Sequence, residues 1–295
     1  MDFPSFLIQP LLWSFGFALG SMMLKRALDG GAGPLRIAFM SNVAMALMFV
    51  PGWWFLPATL SWEQLRWPLL ASGLYFFGQV LTFTAMRAGD VSVIAPAFGI
   101  KVVFVAAFTA LLGAGPMPWT WWLASALSAG AVFLLGLSNW RDRLRLVPTA
   151  LLAVGAAALY ARCDLVFQMH ARDFNPVGFV AVMMTTVVAE SFFMVPFFRG
   201  PFRSIPRETW PWALWGSVVI AAQSAGMAWT LGHYGEAARV NIVYSTRGLW
   251  SILLVWLAGS WFRNQERAAG VGVMGRRLAG ALLLLVAVWL VMGGK

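Results

Sequence analysis

The chain has 295 residues, of which 60% are apolar and 11% are charged, and its formal net charge is +10 at pH 7. Ordinary soluble domains carry about 25% charged residues, so this composition excludes that class and indicates an integral membrane protein. The basic residues stand at the ends of apolar runs and do not cluster in one patch, which argues against a nucleic-acid partner.

Ten apolar segments follow one another, each close to the length of about 20 residues that a helix needs to cross a membrane. The connections, such as "MRAGDV" and "GAGPMP", leave room only for tight turns. Because no segment has the alternating pattern of a membrane β-strand, the spans are predicted to be helices. Their predicted bounds are residues 5–25, 34–56, 65–86, 91–112, 119–137, 147–169, 176–198, 210–231, 236–261 and 273–292.

The first predicted helix carries Gly16 and Gly20 in a GxxxG spacing. Paired small residues let another helix approach closely, and that helix belongs either to the same chain or to a second copy. The spacing is common in apolar helices, so we favour packing within the chain. The protein is expected to be a monomer or a homodimer.

The second half of the sequence repeats features of the first. The spacing that separates Asp90 from Glu236 also separates Lys101 from Arg247. In addition, the "GP" that opens the second span corresponds to the "NP" that opens the seventh. Helices one to five are therefore predicted to be repeated as helices six to ten.

The predicted repeats cover residues 1–140 and 141–295. Because each repeat has an odd number of spans, the second enters the membrane with the opposite orientation. Inverted repeats are typical of secondary transporters, whose substrate site lies near the midplane between the repeats. The predicted fold is therefore an all-α integral membrane protein with ten transmembrane helices in two inverted five-helix repeats.

This plan, with "GDVSVIAP" opening the fourth helix and "GEAARVNIVYSTRGLW" in the ninth, resembles the EamA-like members of the drug/metabolite transporter superfamily. The resemblance covers nearly the whole chain. It implies a multi-pass protein of the cell (inner) membrane that exports amino acids or other metabolites. In relatives that exchange phosphorylated compounds, basic residues on the fourth and ninth helices hold the anion, and Lys101 and Arg247 match those helices by position.

Lys101 lies within the apolar stretch "SVIAPAFGIKVVFVAAFTALLG". A charge at the bilayer centre costs about 2.5 to 3.5 kcal/mol on insertion scales, so Lys101 is predicted to face the bundle interior. It either contacts substrate or pairs with a buried carboxylate such as Glu190. Glu190 is the only acid deep in the seventh helix, and its candidate roles are binding a substrate ammonium, relaying a proton, or acting as counter-ion to Lys101 or Arg247.

Arg247 lies too deep in the ninth predicted helix to reach the interface, and its planar guanidinium suits bidentate binding of a carboxylate or phosphate. Tyr244 and Ser245 precede it by about one turn, and Trp250 follows it by one turn. Tyr244 and Trp250 are therefore candidate substrate contacts. Ser245 more simply bonds a backbone carbonyl.

Other polar residues recur at helical spacing. Tyr160, Asp164 and Gln168 share one face of the sixth helix, which lines a cavity or lies near the membrane interface. Gln79 and Gln223 occupy matching positions on the third and eighth helices. They either bond between helices or contact a ligand.

The sequence predicts no metal site, no cofactor and no enzymatic activity. Cys163 is the only cysteine, and His170 and His233 lack metal-ligand spacing with it or with each other. No HExxH, CxxC or GxSxG motif is present, and the absence of a P-loop argues against ATP hydrolysis.

The predicted function is secondary transport of a small polar metabolite, anionic or zwitterionic, by an exporter or exchanger that works by alternating access. The alternative is a flippase in which Lys101 and Arg247 grip a lipid phosphate. The expected partners are thus a small-molecule substrate and the lipid bilayer. Basic residues concentrate in the loops after helices one, five, seven and nine, which places both termini outside by the positive-inside rule, whereas the EamA-like resemblance implies termini inside.

Overall fold

The computed structural model describes residues 7–88, 99–136, 143–258 and 271–293. These residues form α-helices and short 3₁₀ helices, and none of them lies in a β-strand. The α-helices are α1 (Ile8–Asp29), α2 (Pro34–Phe49), α3 (Trp62–Ala88), α4 (Lys101–Leu111), α5 (Trp119–Gly136), α6 (Arg143–Phe174), α7 (Pro176–Ser191), α8 (Trp210–Tyr234), α9 (Ala237–Tyr244), α10 (Arg247–Ala258) and α11 (Val271–Gly293). The 3₁₀ helices are Val50–Phe55, Phe192–Phe197 and Phe202–Ser204.

Four stretches of helix in the described part are long and apolar enough to cross a membrane; they are Pro34–Phe55, Trp62–Ala85, Val147–Arg172 and Pro176–Phe197. The shorter apolar helices are Lys101–Leu111, Trp119–Leu134 and Ala279–Met292. Large apolar side chains such as Trp54, Leu111 and Phe193 are exposed on the outside of the bundle. An apolar exterior of this kind suits lipid and is rare on soluble monomers. The structure is therefore that of a helical membrane protein.

The long helix α6 lies at the centre of the packing. It contacts α3, α4, α7, α8 and α9, while α1 packs along α8 and α5 packs along α11. The neighbouring helix α7 buries Phe179, Val180 and Val187. Helix α6 therefore places its polar side chains within reach of helices from both halves of the chain.

The two glycines of the first helix lie at the contact between α1 and α8. A Cβ added at Gly16 would lie 3.1 Å from the Cβ of Gln223, and one added at Gly20 would lie 2.9 Å from the Cγ1 of Ile220. From the other side, a Cβ at Gly226 of α8 would lie 2.1 Å from the Trp13 ring. The prediction that the GxxxG spacing serves packing within the chain is confirmed.

Helices α2 and α7 are built alike. Each has 16 residues, begins with a proline and continues into a 3₁₀ helix of 6 residues. The residue before each proline has a positive φ, 78° at Gly33 and 77° at Asn175. The similarity of the two halves in sequence is thus accompanied by a similar local backbone.

The ninth predicted span, residues 236–261, is not one unbroken helix in the described part. Helix α9 ends before Ser245 and Thr246, which form a turn, and α10 begins at Arg247. The hydroxyl groups of Ser245 and Thr246 donate to carbonyl oxygens three residues earlier, and their backbone N–H groups bond to the same carbonyls. Hydrogen bonds to the carbonyl three residues earlier form a tighter turn than the α-helix, and they interrupt its regular hydrogen-bond pattern.

The ends of other predicted spans differ from the helix ends in the structure. The sixth span, predicted over residues 147–169, belongs to a longer helix, Arg143–Phe174. The segment "GDVSVIAP" with Asp90 lies outside the described residues, as do residues 259–261 of the ninth span. The fourth predicted span is therefore described as a helix from Lys101 onward.

Candidate functional site

An ion pair joins α4 to α6 inside the bundle. Lys101 Nζ lies 2.8 Å from Asp164 Oδ2, and the two side chains are 13% and 17% exposed. Asn241 of α9 donates to the same carboxylate oxygen at 2.9 Å. The cluster therefore combines one residue from the first half of the chain with two from the second.

Glu190 is not the partner of Lys101, so the predicted pairing with Glu190 is wrong. Helix α4 packs against α6, so the ammonium reaches Asp164. Glu190 instead lies at the contact between α7 and α3, where its Oε1 is 3.3 Å from Ser72 Oγ. Its Oε2 is buried and has no hydrogen-bond partner among the described residues.

Arg247 begins α10 and lies against two aromatic rings. Its guanidinium carbon is 4.8 Å from the ring centre of Phe17 and 4.9 Å from that of Tyr244. Contact with a ring face stabilises a guanidinium without neutralising its charge. The ion pairs formed among the described residues do not include it; they are Arg66–Glu63, Lys101–Asp164 and Arg239–Glu236. Among the described residues, Arg247 therefore has aromatic contacts and no acid partner.

Helix α9 connects the ion pair to Arg247. Asn241 and Tyr244 are three residues apart and thus on one face of the helix. Tyr244 donates its hydroxyl to Gln223 Oε1 at 2.7 Å, and the amide of Gln223 in turn donates to Ser224 Oγ. Polar side chains therefore run from Asp164 along α9 to the turn that precedes Arg247.

Gln79, the counterpart of Gln223, bonds between helices. Its amide and that of Asn42 on α2 donate to each other, both at 2.8 Å. Asn42 also donates to Ser191 Oγ of α7 at 2.8 Å. Gln79 therefore takes part in a hydrogen-bond network that connects α2, α3 and α7. Bonding between helices was one of the two roles predicted for Gln79.

The three residues of the polar face predicted on α6 lie in three different environments. Asp164 is in the ion pair, whereas the Tyr160 ring packs edge-on against Tyr75 with 5.6 Å between centres. Gln168 donates to Ala114 O at 2.6 Å and accepts from the backbone N–H of Ala237 at 2.8 Å. A small pocket of about 70 Å³ adjoins Gln168 and is lined also by Thr109, Trp121 and Glu236.

Trp250 packs edge-on against Phe15 of α1, with ring centres 5.4 Å apart. Its indole Nε1 is buried and has no acceptor among the described residues. It shares α10 with Arg247, one turn further on. Both side chains can only donate hydrogen bonds, so this end of α10 favours an acceptor-rich ligand.

Sequence reasoning missed Asn241 and Phe17. Asn241 is an amide within an apolar helical stretch, one turn before Ser245, and that position was a usable signal. Phe17 is one of 23 phenylalanines. Nothing in its local sequence distinguishes it, because its role depends on α1 packing against α10.

No protein-family model and no curated protein sequence matches this chain. Among solved structures, 28 chains match it. One of them, described only as the crystal structure of a protein, superposes with a TM-score of 0.70 and 16% sequence identity over 96% of each chain. A likeness at this identity establishes a shared fold over nearly the full length and carries no information about function.

Proposed function

We propose that this protein is a secondary transporter that moves a small anionic or zwitterionic metabolite across the cell (inner) membrane by alternating access. It has ten transmembrane helices in two inverted repeats, residues 1–140 and 141–295, as the resemblance to EamA-like transporters implies. Transport proceeds without a cofactor and without a covalent step on the substrate.

The pattern of helix contacts supports the repeats. If α1, α2 and α3 correspond to α6, α7 and α8, the contact between α3 and α6 corresponds to that between α8 and α1. The contact between α2 and α8 likewise corresponds to that between α7 and α3. All four contacts are present, as expected when two similar halves pack about a common axis.

The observation that carries the proposal is the placement of two cations at matching positions. Lys101 and Arg247 each begin a helical segment, α4 and α10, within a largely apolar bundle. Secondary transporters commonly build their substrate sites at interrupted helices near the interface between repeats. Lys101 has an internal counter-ion in Asp164, and Arg247 has no acid partner among the described residues.

The ion pair suggests how binding is coupled to movement. A substrate carboxylate or phosphate that binds Arg247 also attracts Lys101 and competes with Asp164 for it. Weakening the Lys101–Asp164 contact frees α4 to move against α6. Because the substrate then binds the two arrangements of α4 and α6 with different affinities, it shifts the equilibrium between them. Alternating access requires such a shift.

The test begins with a thermal-shift screen of the purified protein against amino acids, organic acids and phosphorylated metabolites. A ligand that binds only the folded state raises the melting temperature. The compound that does so is then used, radiolabelled, for counterflow in proteoliposomes. We expect counterflow with the parental protein and its loss in Arg247→Ala, while Arg66→Ala, which removes an exposed arginine paired with Glu63, retains it.

The same proteoliposomes separate the transporter from the flippase. A fluorescent phospholipid is included, and its movement between leaflets is followed by quenching from outside. If the lipid moves in a protein-dependent way and no metabolite shows counterflow, the flippase is correct and the proposed function is wrong.

A further inference from the structure

Glu190 and Ser72 form a polar contact between α7 and α3, inside two stretches that are long and apolar enough to cross a membrane. Glu190 Oε1 is 3.3 Å from Ser72 Oγ, and Ser72 Oγ is also 2.8 Å from Leu69 O. The second carboxyl oxygen of Glu190 is buried and has no partner among the described residues. This carboxyl group takes no part in the cluster formed by Lys101 and Asp164.

No described cation compensates Glu190. Helix α7 packs against α2, α3, α6, α8 and the 3₁₀ helices Val50–Phe55 and Phe192–Phe197. The ionisable groups that these elements place in the interior have other contacts: Tyr75 reaches Met45 Sδ, Cys163 reaches Ala71 O, Tyr160 reaches Thr82 Oγ1, and Asp164 is paired with Lys101. Arg36 of α2 bonds to the loop before α8. Arg162 of α6 forms no described ion pair, with Glu190 or with another acid.

The single hydrogen of the Ser72 hydroxyl limits how well Ser72 can compensate an ionised Glu190. A serine hydroxyl has one hydrogen, and a backbone carbonyl can only accept. Ser72 Oγ lies 2.8 Å from Leu69 O and 3.3 Å from Glu190 Oε1, so a single hydrogen serves two acceptors. An ionised Glu190 therefore competes with Leu69 O for that hydrogen, whereas a protonated Glu190 also brings a donor of its own.

Solvation also favours the protonated form of Glu190. An ionised carboxylate within the membrane is stable only with a cation, several donors or water, and the described surroundings of Glu190 offer one hydroxyl. A neutral carboxylic acid needs much less compensation than a carboxylate. The ionised and protonated forms of Glu190 differ by one proton, so Glu190 exchanges H⁺ when water reaches it.

We propose that Glu190, with Ser72 as its hydrogen-bond partner, is a proton-binding site of this protein. Loss of the proton leaves an uncompensated charge between α3 and α7 and weakens that contact, whereas protonation restores it. The inference rests on the proposed transport function. For that function it makes H⁺ the coupling ion, because the proton binds one arrangement of α3 and α7 more tightly than the other.

The site is tested with N,N′-dicyclohexylcarbodiimide, a membrane-soluble reagent that adds to protonated carboxyl groups. The proton of the acid moves to a carbodiimide nitrogen while a carboxyl oxygen bonds to the central carbon, so the adduct forms without a leaving group. The full chain in lipid vesicles is labelled at several pH values and digested, and the modified residue is located by mass spectrometry. We expect the label on Glu190 near neutral pH and a progressive loss of labelling as the pH rises.

Two variants serve as controls for the labelling. Glu190→Gln keeps the shape of the side chain and should abolish the label, with its elution from a sizing column confirming that it folds. Glu63→Gln removes an exposed glutamate that is already paired with Arg66, and should leave the labelling of Glu190 unchanged. If Glu190 stays unlabelled near neutral pH while Asp164 or another carboxyl group reacts, the proposal is overturned.

The labelling needs no substrate, so its outcome is independent of the transport function. If Glu190 is labelled but no metabolite is transported, the proton site stands and the proposed function fails. If a metabolite is transported, counterflow is measured across pH in Glu190→Gln, where we expect transport to persist without its pH dependence. A pH dependence equal to that of the parental protein overturns the role of H⁺ as coupling ion.

Discussion

Lys101 and Asp164 illustrate what a charge inside an apolar bundle requires. The pair is 2.8 Å apart, and the carboxylate receives a second hydrogen bond from Asn241. Removing two ions from water is costly, so a buried pair contributes little net stability compared with apolar residues of similar size. Removing one partner is different, because it leaves the other charge uncompensated.

This asymmetry predicts that Asp164→Asn lowers the free energy of unfolding by about 3 to 5 kcal/mol. The double substitution Lys101→Met with Asp164→Leu should recover most of that loss, because it removes both charges of the pair and leaves neither uncompensated. Thermal unfolding of the purified variants in detergent measures both. An Asp164→Asn variant that unfolds at the parental temperature would mean that water already solvates Lys101.

Arg247 should act through ligand binding. Removing one partner of a desolvated charge pair costs about 2 to 5 kcal/mol, so Arg247→Ala should weaken binding of the anionic metabolite at least about tenfold. Arg247→Lys keeps the charge and loses the planar fork and its contact with the rings of Phe17 and Tyr244. We expect an intermediate affinity for it, measured by thermal-shift titration, with Arg66→Ala binding as the parental protein does.

At the scale of elements, close contact between helices depends on residues without side chains. Trp13 of α1 lies over Gly226 of α8, and its indole N–H donates to Thr230 Oγ1 one turn away. There is no free space for a methyl group at Gly226, since a Cβ there would lie 2.1 Å from the ring. The two helices can approach only because position 226 is a glycine.

Gly226→Ala should therefore destabilise the protein by about 1 to 3 kcal/mol, the usual cost of overpacking. The matched control is Gly73→Ala on α3, where a Cβ meets nothing within 4 Å. That variant should be neutral or slightly stabilised, because alanine is the better helix former. Equal melting temperatures for the two variants would contradict the packing of α1 on α8.

The start of α7 combines an unusual backbone conformation with a cap. Asn175 has a φ of 77°, and its side chain accepts hydrogen bonds from the N–H groups of Val177 and Gly178. Asn175→Gly loses the cap alone, whereas Asn175→Ala loses the cap and strains the backbone. We expect Asn175→Ala to cost about 1 to 3 kcal/mol and Asn175→Gly clearly less. Unfolding in detergent distinguishes them, and the reverse order would contradict the positive φ.

At the scale of the whole molecule, inverted repeats make a prediction about sides of the membrane. The loop between α2 and α3 and the loop between α7 and α8 are counterparts, so they should lie on opposite sides. Thr59 and Glu208 are exposed residues in these loops, and Cys163, the only cysteine, is buried. Single cysteines at Thr59 and Glu208 in a Cys163→Ser background are therefore clean reporters.

A membrane-impermeant maleimide added to intact cells should label one of Thr59→Cys and Glu208→Cys, and the other should react only after permeabilisation. The positive-inside rule places Glu208 in the cytoplasm, because Arg199, Arg203 and Arg207 lie in its loop. Labelling of both cysteines from one side would exclude the inversion. Labelling of Glu208→Cys alone in intact cells would favour the orientation that the EamA-like resemblance implies.

Local chemistry made much of the helical framework predictable. Hydropathy located the apolar spans that the structure describes as helices, and the GxxxG spacing correctly indicated close packing within the chain. The prolines at positions 34 and 176 marked the starts of α2 and α7. These features were accessible because a residue's hydrophobicity, its φ preference and its size act on its immediate neighbours.

The sequence by itself determined that the chain is a helical membrane protein and which of its residues carry charge inside the apolar segments. The tertiary structure alone decided which partners these ionisable groups have: Lys101 pairs with Asp164, and Glu190 contacts Ser72. It also placed Arg36, near the start of the second predicted span, in a buried position where it donates to Pro201 O and Ser204 Oγ. The physical reason is that hydropathy is a local property, whereas the partner of a charge depends on which helix faces pack together, and residues distant along the chain decide that.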